Sequence, residues 1–192
     1  MIGVCPLCLH RKELVESHYL PRSVYKQLRN FNTSSTRKLI SVNLNEFSAY
    51  STDKQIKQYV FCLGCEKKFN KNGENYVLRY IHSKPGKFKL LNKLEKLSTY
   101  TEINGDKFYV INDQINSESF LYFALSVFWR GSAIKWNIEH TYQNSLGKFY
   151  SEKIRAYLLD SSPLPKNVRV IIFFDDSEIF SQISTFPVMK KS

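Results

Sequence analysis

Four cysteines constrain this chain more than anything else in it. They stand as two Cys-x-x-Cys pairs, Cys5/Cys8 and Cys62/Cys65, and none is left over. A Cys-x-x-Cys turn delivers two thiolates from one tight loop, and two such turns complete the tetrahedral set that a structural zinc ion takes. A redox dithiol needs only one pair. The start of the chain has no basic, apolar leader, so the expected location is cytoplasmic, where disulfides are not the expected state. The pattern predicts a zinc centre joining residues 5–8 to residues 62–65. The 53 residues between Cys8 and Cys62 exceed what a ribbon needs, so an element must loop out between the knuckles.

Local patterns fill in the rest. Glu13 to His18 reads as a short extended segment, and Pro21 can open a helix that continues through Ser23 to Arg29. Residues 30–56 are rich in Asn, Ser and Thr and read as an inserted loop, with one strand at Lys38 to Leu44. Gln58 to Phe61 is strand-like and runs into Cys62; Glu66 to Asn70 and Glu74 to Ile81 read as two helical pieces broken at Asn72-Gly73. Farther on, Ser83 to Gly86 reads as a turn and Lys107 to Ile111 as a strand. Ser119 to Ile134 is apolar nearly all round and should be a buried helix. Ser151 to Leu159 reads as an amphipathic helix, and Val168 to Phe174 as a buried strand.

The expected fold class is α+β. A zinc-binding module over residues 1–81, with its insertion at about 30–56, would carry a helical and stranded region, 82–192, packed on it. A knuckle, a strand, then a knuckle at a helix N-terminus is the order of a treble clef. No apolar run approaches the ~18–20 residues needed to cross a bilayer, the longest being Phe120 to Trp129.

Lys and Arg number 28 against 17 acids, a net charge of +11. Such a surplus favours polyanions, so DNA or RNA is the expected partner, with an acidic protein partner or an ordinary solvated surface as the plainer readings. Arg11, Lys12, Arg22 and Lys26 follow the first knuckle and Lys67 and Lys68 the second. Together they are candidate phosphate contacts forming a basic rim.

The segments CPLC, SHYLP and VFCLGCE resemble the HNH family of endonucleases, with its ββα-metal finger. The match covers roughly residues 1–81: Cys5 and Cys8, His18 and Pro21, then Cys62 and Cys65 fall on the family's pattern. The resemblance implies that His18 is the general base that activates water. It also implies a divalent ion, Mg²⁺ or Mn²⁺, held at the positions before His18 and after Cys65. This chain departs from the pattern there, with Ser17 where Asp is usual, Glu66 where His or Asn is usual and Lys57 where Asn is usual. Two accounts follow. Glu66 can serve as an oxygen ligand for a catalytic metal, helped by Glu74, or the catalytic site has decayed and the finger only binds. Divergent HNH-like proteins of bacteria, some associated with anti-phage defence, share this SHYLP and C-x-x-C-E arrangement, an analogy only.

Simpler readings stand beside these. His18 could merely pack near the zinc, and Glu66 could complement a helix dipole. His10, His82 and His140 lie in plain contexts, and Asp175-Asp176 is more simply a solvated turn than a metal pair. Trp129 is expected in the core, and Arg130, at the end of an apolar run, is expected to pair with a buried acid.

Overall fold

The structure is a computed structural model that describes residues 1–31, 39–43, 47–52, 54–81, 88–111, 113–137 and 143–172. The expectations on His82, His140, Ser83 to Gly86 and Asp175-Asp176 lie outside the described residues.

The chain opens with β1 (Ile2–Val4), the first Cys-x-x-Cys turn and β2 (Arg11–His18), which returns antiparallel to β1 with Ile2 opposite Glu13. Helix α1 (Arg22–Phe31) follows Pro21, as expected. The insertion is a two-stranded ribbon, β3 (Leu39–Asn43) and β4 (Ser48–Thr52), where one strand and loop were expected. Strand β5 (Lys57–Cys62) then pairs antiparallel with β2, giving the sheet order β1-β2-β5. The register places His18 opposite Lys57 and Leu14 opposite Cys62. Val15 pairs with Phe61 while Glu16 pairs with Tyr59, which leaves Val60 as the extra residue of a bulge.

From Cys62 the chain enters α2 (Leu63–Phe69). The expected break at Asn72-Gly73 is absent. A π turn over Asn70–Glu74 carries the helix on into α3 (Asn75–Ile81). Gly73 explains why: a Cβ there would stand 3.0 Å from the backbone N and Cα of Phe123. Glycine is used for close backbone approach, not to stop the helix.

Next come α4 (Lys89–Leu97) and a hairpin of β6 (Tyr100–Ile103) and β7 (Asp106–Tyr109), turning at Asn104-Gly105 with both φ positive. Helix α5 (Ser117–Ala133) is capped by Asn116, whose side chain accepts from the Ser119 N–H at 3.0 Å. Helix α6 spans Gly147–Leu158. The strand expected at Val168 to Phe174 is not found over 168–172, and Ile171 is 70% exposed. A β-branched run forms a strand only where a neighbour completes its ladder, and among the described residues none does.

One core joins residues of the first knuckle to residues of α5 and α6. Leu7, Leu14, Phe61 and Phe69 pack in one cluster with Tyr122, Trp129, Trp136, Ile154 and Leu158. Trp129 lies in it as expected, 1% exposed, its ring 6.1 Å from that of Phe61. A second cluster, Val77, Leu90, Leu94, Ile115 and Phe120, locks α3 and α4 to α5. No helix of the described residues is long and apolar enough to cross a membrane.

Candidate metal centre and the polar core beside it

The two knuckles meet as the spacing predicts. The ligand atoms of Cys5, Cys8, Cys62 and Cys65 all lie within 4.8 Å of one another, and Cys8 Sγ is 3.9 Å from Cys62 Sγ. Four sulfurs around zinc, each about 2.3 Å from the ion, would stand about 3.8 Å apart. Donor set and spacing fit a metal ion such as zinc.

Local structure builds the site. The first knuckle is closed by Leu9 N–H donating to Cys5 O at 2.8 Å and Cys5 N–H donating to His10 O at 3.0 Å. Leu9 adopts φ 59° to make that turn. Cys62 ends β5 and Cys65 lies in the first turn of α2; the Cys62 N–H points at Cys5 Sγ, 3.5 Å away. Cys5, Cys62 and Cys65 are buried and Cys8 is half-buried. Cys5 and Cys65 share a proton, which lowers the pKa of Cys5 and raises that of Cys65. A cation replaces such shared protons, and its bound form needs all four sulfurs deprotonated. His10 is exposed and is not one of the grouped ligands.

Beside the centre lies a polar core that the HNH resemblance does not describe. Arg130 of α5 is 1% exposed. Its Nη2 donates to Glu74 Oε1 at 2.9 Å and to Ser126 Oγ at 3.1 Å, its Nε to Ser126 O at 3.2 Å, and its Nη1 to the main-chain oxygen of His18 at 3.2 Å. The Phe69 ring lies under the guanidinium at 4.9 Å. The expected pairing of Arg130 with a buried acid is therefore present, and the acid is Glu74. Glu74, expected to help hold a catalytic metal, is 6% exposed and pairs with Arg130.

Glu66 stands in the first turn of α2, mostly buried. Burial pushes its carboxyl above the usual range, and the Ser17 hydroxyl and the positive charge of Arg130 offset part of this. Its Oε1 is buried without a hydrogen-bond partner. Ser17, 1% exposed, accepts from the Phe61 N–H at 3.3 Å. The next residue, His18, is half-buried, and its Nε2 is 2.9 Å from Gln55 Oε1. Neighbouring residues of a strand point to opposite faces, so Ser17 goes with Glu66 and His18 does not. Among the described residues the four-cysteine cluster is the one group of three or more His, Cys, Asp or Glu ligands placed to share an ion. Glu66 feels the charges of both Glu74 and Arg130, and neither carboxylate belongs to a cluster of three or more such ligands among the described residues.

The candidate phosphate contacts lie on three different elements. Arg11 and Lys12 are exposed at the start of β2, whereas Arg22 and Lys26 are exposed on α1, beyond its far end. The strand β2, spanning about 23 Å, separates the two pairs along the chain. Lys67 is exposed; Lys68 is tied to Asp160 at 2.6 Å and to Leu159 O at 3.4 Å. Sequence reading missed Lys54, exposed and one residue from the Gln55 that holds His18.

No family's sequence profile matches this chain, and neither a curated protein nor a solved structure is significantly similar to it.

Proposed function

We propose that this chain is a zinc-stapled, HNH-like finger that binds nucleic acid at the end of β2, where His18 lies, and that its cleavage machinery is degenerate. A first knuckle followed by β2, and β5 leading into a second knuckle at the start of α2, support a treble-clef reading. The net charge of +11, the exposed Arg22 and Lys26 that follow His18 in the chain, and the exposed Lys54 next to Gln55, the partner of His18, favour a polyanion. The observation that carries the loss of cleavage is Arg130. Its guanidinium already neutralises Glu74 and acts on Glu66, and a second cation beside it would be repelled.

A second reading, a divalent-metal-dependent endonuclease, is favoured by one feature. Glu66 has a buried Oε1 without a hydrogen-bond partner, and its carboxyl is influenced by Ser17; these are the two positions where the HNH resemblance implies metal ligands. In that case His18 is the general base.

The test is direct. Zinc-loaded protein is titrated with duplex DNA, single-stranded DNA and RNA at several salt concentrations, then incubated with each in Mg²⁺ or Mn²⁺. Binding that weakens steeply with salt, is reduced by Arg22→Ala with Lys26→Ala, and comes without cleavage supports the first reading. Cleavage that disappears in His18→Ala while zinc is retained gives the second. Absence of both binding and cleavage sinks the nucleic-acid assignment.

A further inference from the structure

We propose that Arg130, held by Glu74, is a positioning residue for His18, so that α5 is a working part of the contact surface and not only its cover. The inference rests on the reading that His18 meets nucleic acid.

A buried arginine needs a reason. Desolvating a guanidinium and a carboxylate is costly, and an apolar side chain of similar size often stabilises a core as well or better. What Arg130 provides is a junction that no apolar side chain can make. Four of its five N–H groups reach partners on three separate elements: Ser126 on α5, Glu74 at the end of the π turn, and the main-chain oxygen of His18 on β2.

The oxygen of His18 is a telling target. His18 is the last residue of β2, the last one paired with β5 and the point where the chain leaves the sheet for α1. On the sheet side, Tyr19 N–H donates to Ile56 O at 2.9 Å. On the other side the sole anchor of the His18 oxygen given by the described residues is Arg130 Nη1. Fixing that oxygen fixes the peptide plane, hence the direction in which His18 leaves the backbone. Gln55 then sets the ring at 2.9 Å.

The junction is itself constrained. Glu74 is delivered by the π turn, and Gly73 lets that turn sit directly on the α5 backbone at Phe123. Phe69, under the guanidinium at 4.9 Å, limits its movement in the remaining direction. A sulfur-bound metal would fix the knuckles but not the far end of β2; Arg130 and Glu74 reach that end.

The experiment compares Arg130→Lys, Glu74→Gln and a core control, Leu125→Ala, each with and without His18→Ala. The readouts are zinc content, the His18 imidazole proton resonances (assigned by their loss in His18→Ala) and affinity for a short DNA duplex. Lysine keeps the charge but cannot reach three elements. Arg130→Lys should retain zinc, move the His18 resonances while leaving those of His10 in place, and weaken duplex binding about fivefold, an effect absent when His18 is already alanine. Leu125→Ala should lower stability without moving His18. Should Arg130→Lys not fold, Glu74→Gln carries the same expectations in smaller measure. Unmoved His18 resonances overturn the proposal, as does a binding loss that persists in full beside His18→Ala. Duplex binding that His18→Ala leaves unchanged instead sinks the reading of His18, and the resonances still decide whether Arg130 positions it.

Discussion

Arg155 Nη1 donates to the main-chain oxygen of Leu7 at 2.9 Å, and so a residue of α6 clasps the loop between Cys5 and Cys8. Leu7 is fully buried, and the same guanidinium is steadied by Glu152 at 3.0 Å through Nε. Groups that hold a ligand loop commonly change metal affinity by about 10- to 100-fold. Arg155→Ala should bring zinc affinity down about tenfold, measured by competition with a chromophoric chelator. Unchanged affinity would show that the knuckle holds its shape without α6.

Removing the metal should unfold much more than a loop. Cys5, Cys62 and Cys65 belong to the same core cluster as Trp129 and Leu158. Without a cation, four buried or half-buried sulfurs are left to share protons. Chelation, or Cys62→Ser, should lower the melting temperature and expose tryptophan fluorescence. Acid should do the same, because bound metal needs deprotonated sulfurs: zinc is retained at neutral pH and released as pH falls, with more than one proton taken up per ion. A release independent of pH would contradict thiolate ligation.

Leu9 is in the left-handed region at φ 59°, 57% exposed, immediately after Cys8. A side chain there is strained by about 1–2 kcal/mol, and little burial is lost with it. Leu9→Gly should therefore stabilise the zinc-loaded protein by ~1 kcal/mol after the extra entropy of glycine in the unfolded chain is set against the relief. Urea denaturation measures it; a lower midpoint would mean that Leu9 makes contacts worth more than the strain.

Gly73→Ala should go the other way. The new methyl would stand 3.0 Å from the Phe123 backbone, which cannot swing aside as a side chain can. Overpacking of this kind costs about 1–3 kcal/mol. Because Glu74 is the next residue, the variant should also disturb the Arg130 junction and move His18 resonances. A stable variant with unmoved His18 would show that the π turn is softer than its contacts imply.

The readable parts of the chain were those whose chemistry is local. Two matched Cys-x-x-Cys pairs told of a shared site because the alternatives use fewer thiols or another compartment. Helices α5 and α6 announced themselves through long apolar patterning. Of the hairpin at Asn104-Gly105 the second strand, at Lys107 to Ile111, is legible in the sequence, but the turn and β6 need the pairing to be seen, and α4 rests on Leu90 and Leu94 buried four apart. Val168 to Ile172 shows the opposite failure, since strand propensity does not supply a partner strand. The junction at Arg130 was half legible: an arginine ending an apolar helix implied a buried acid. Nothing along the chain said that the acid was Glu74, 56 positions away, or that the same side chain would reach His18.

The clasp of Leu7 by Arg155 has a consequence for how the protein comes into being. Synthesis delivers all four cysteines by residue 65, and Arg155 follows 90 residues later (155 − 65). At about 5–20 residues per second, the nascent chain carries both knuckles for about 5–18 seconds before the residue that closes over them exists. A metal ion taken up at that stage would enter a first knuckle still open, and α6, the last helix of the described residues, would close over its Leu7 afterwards.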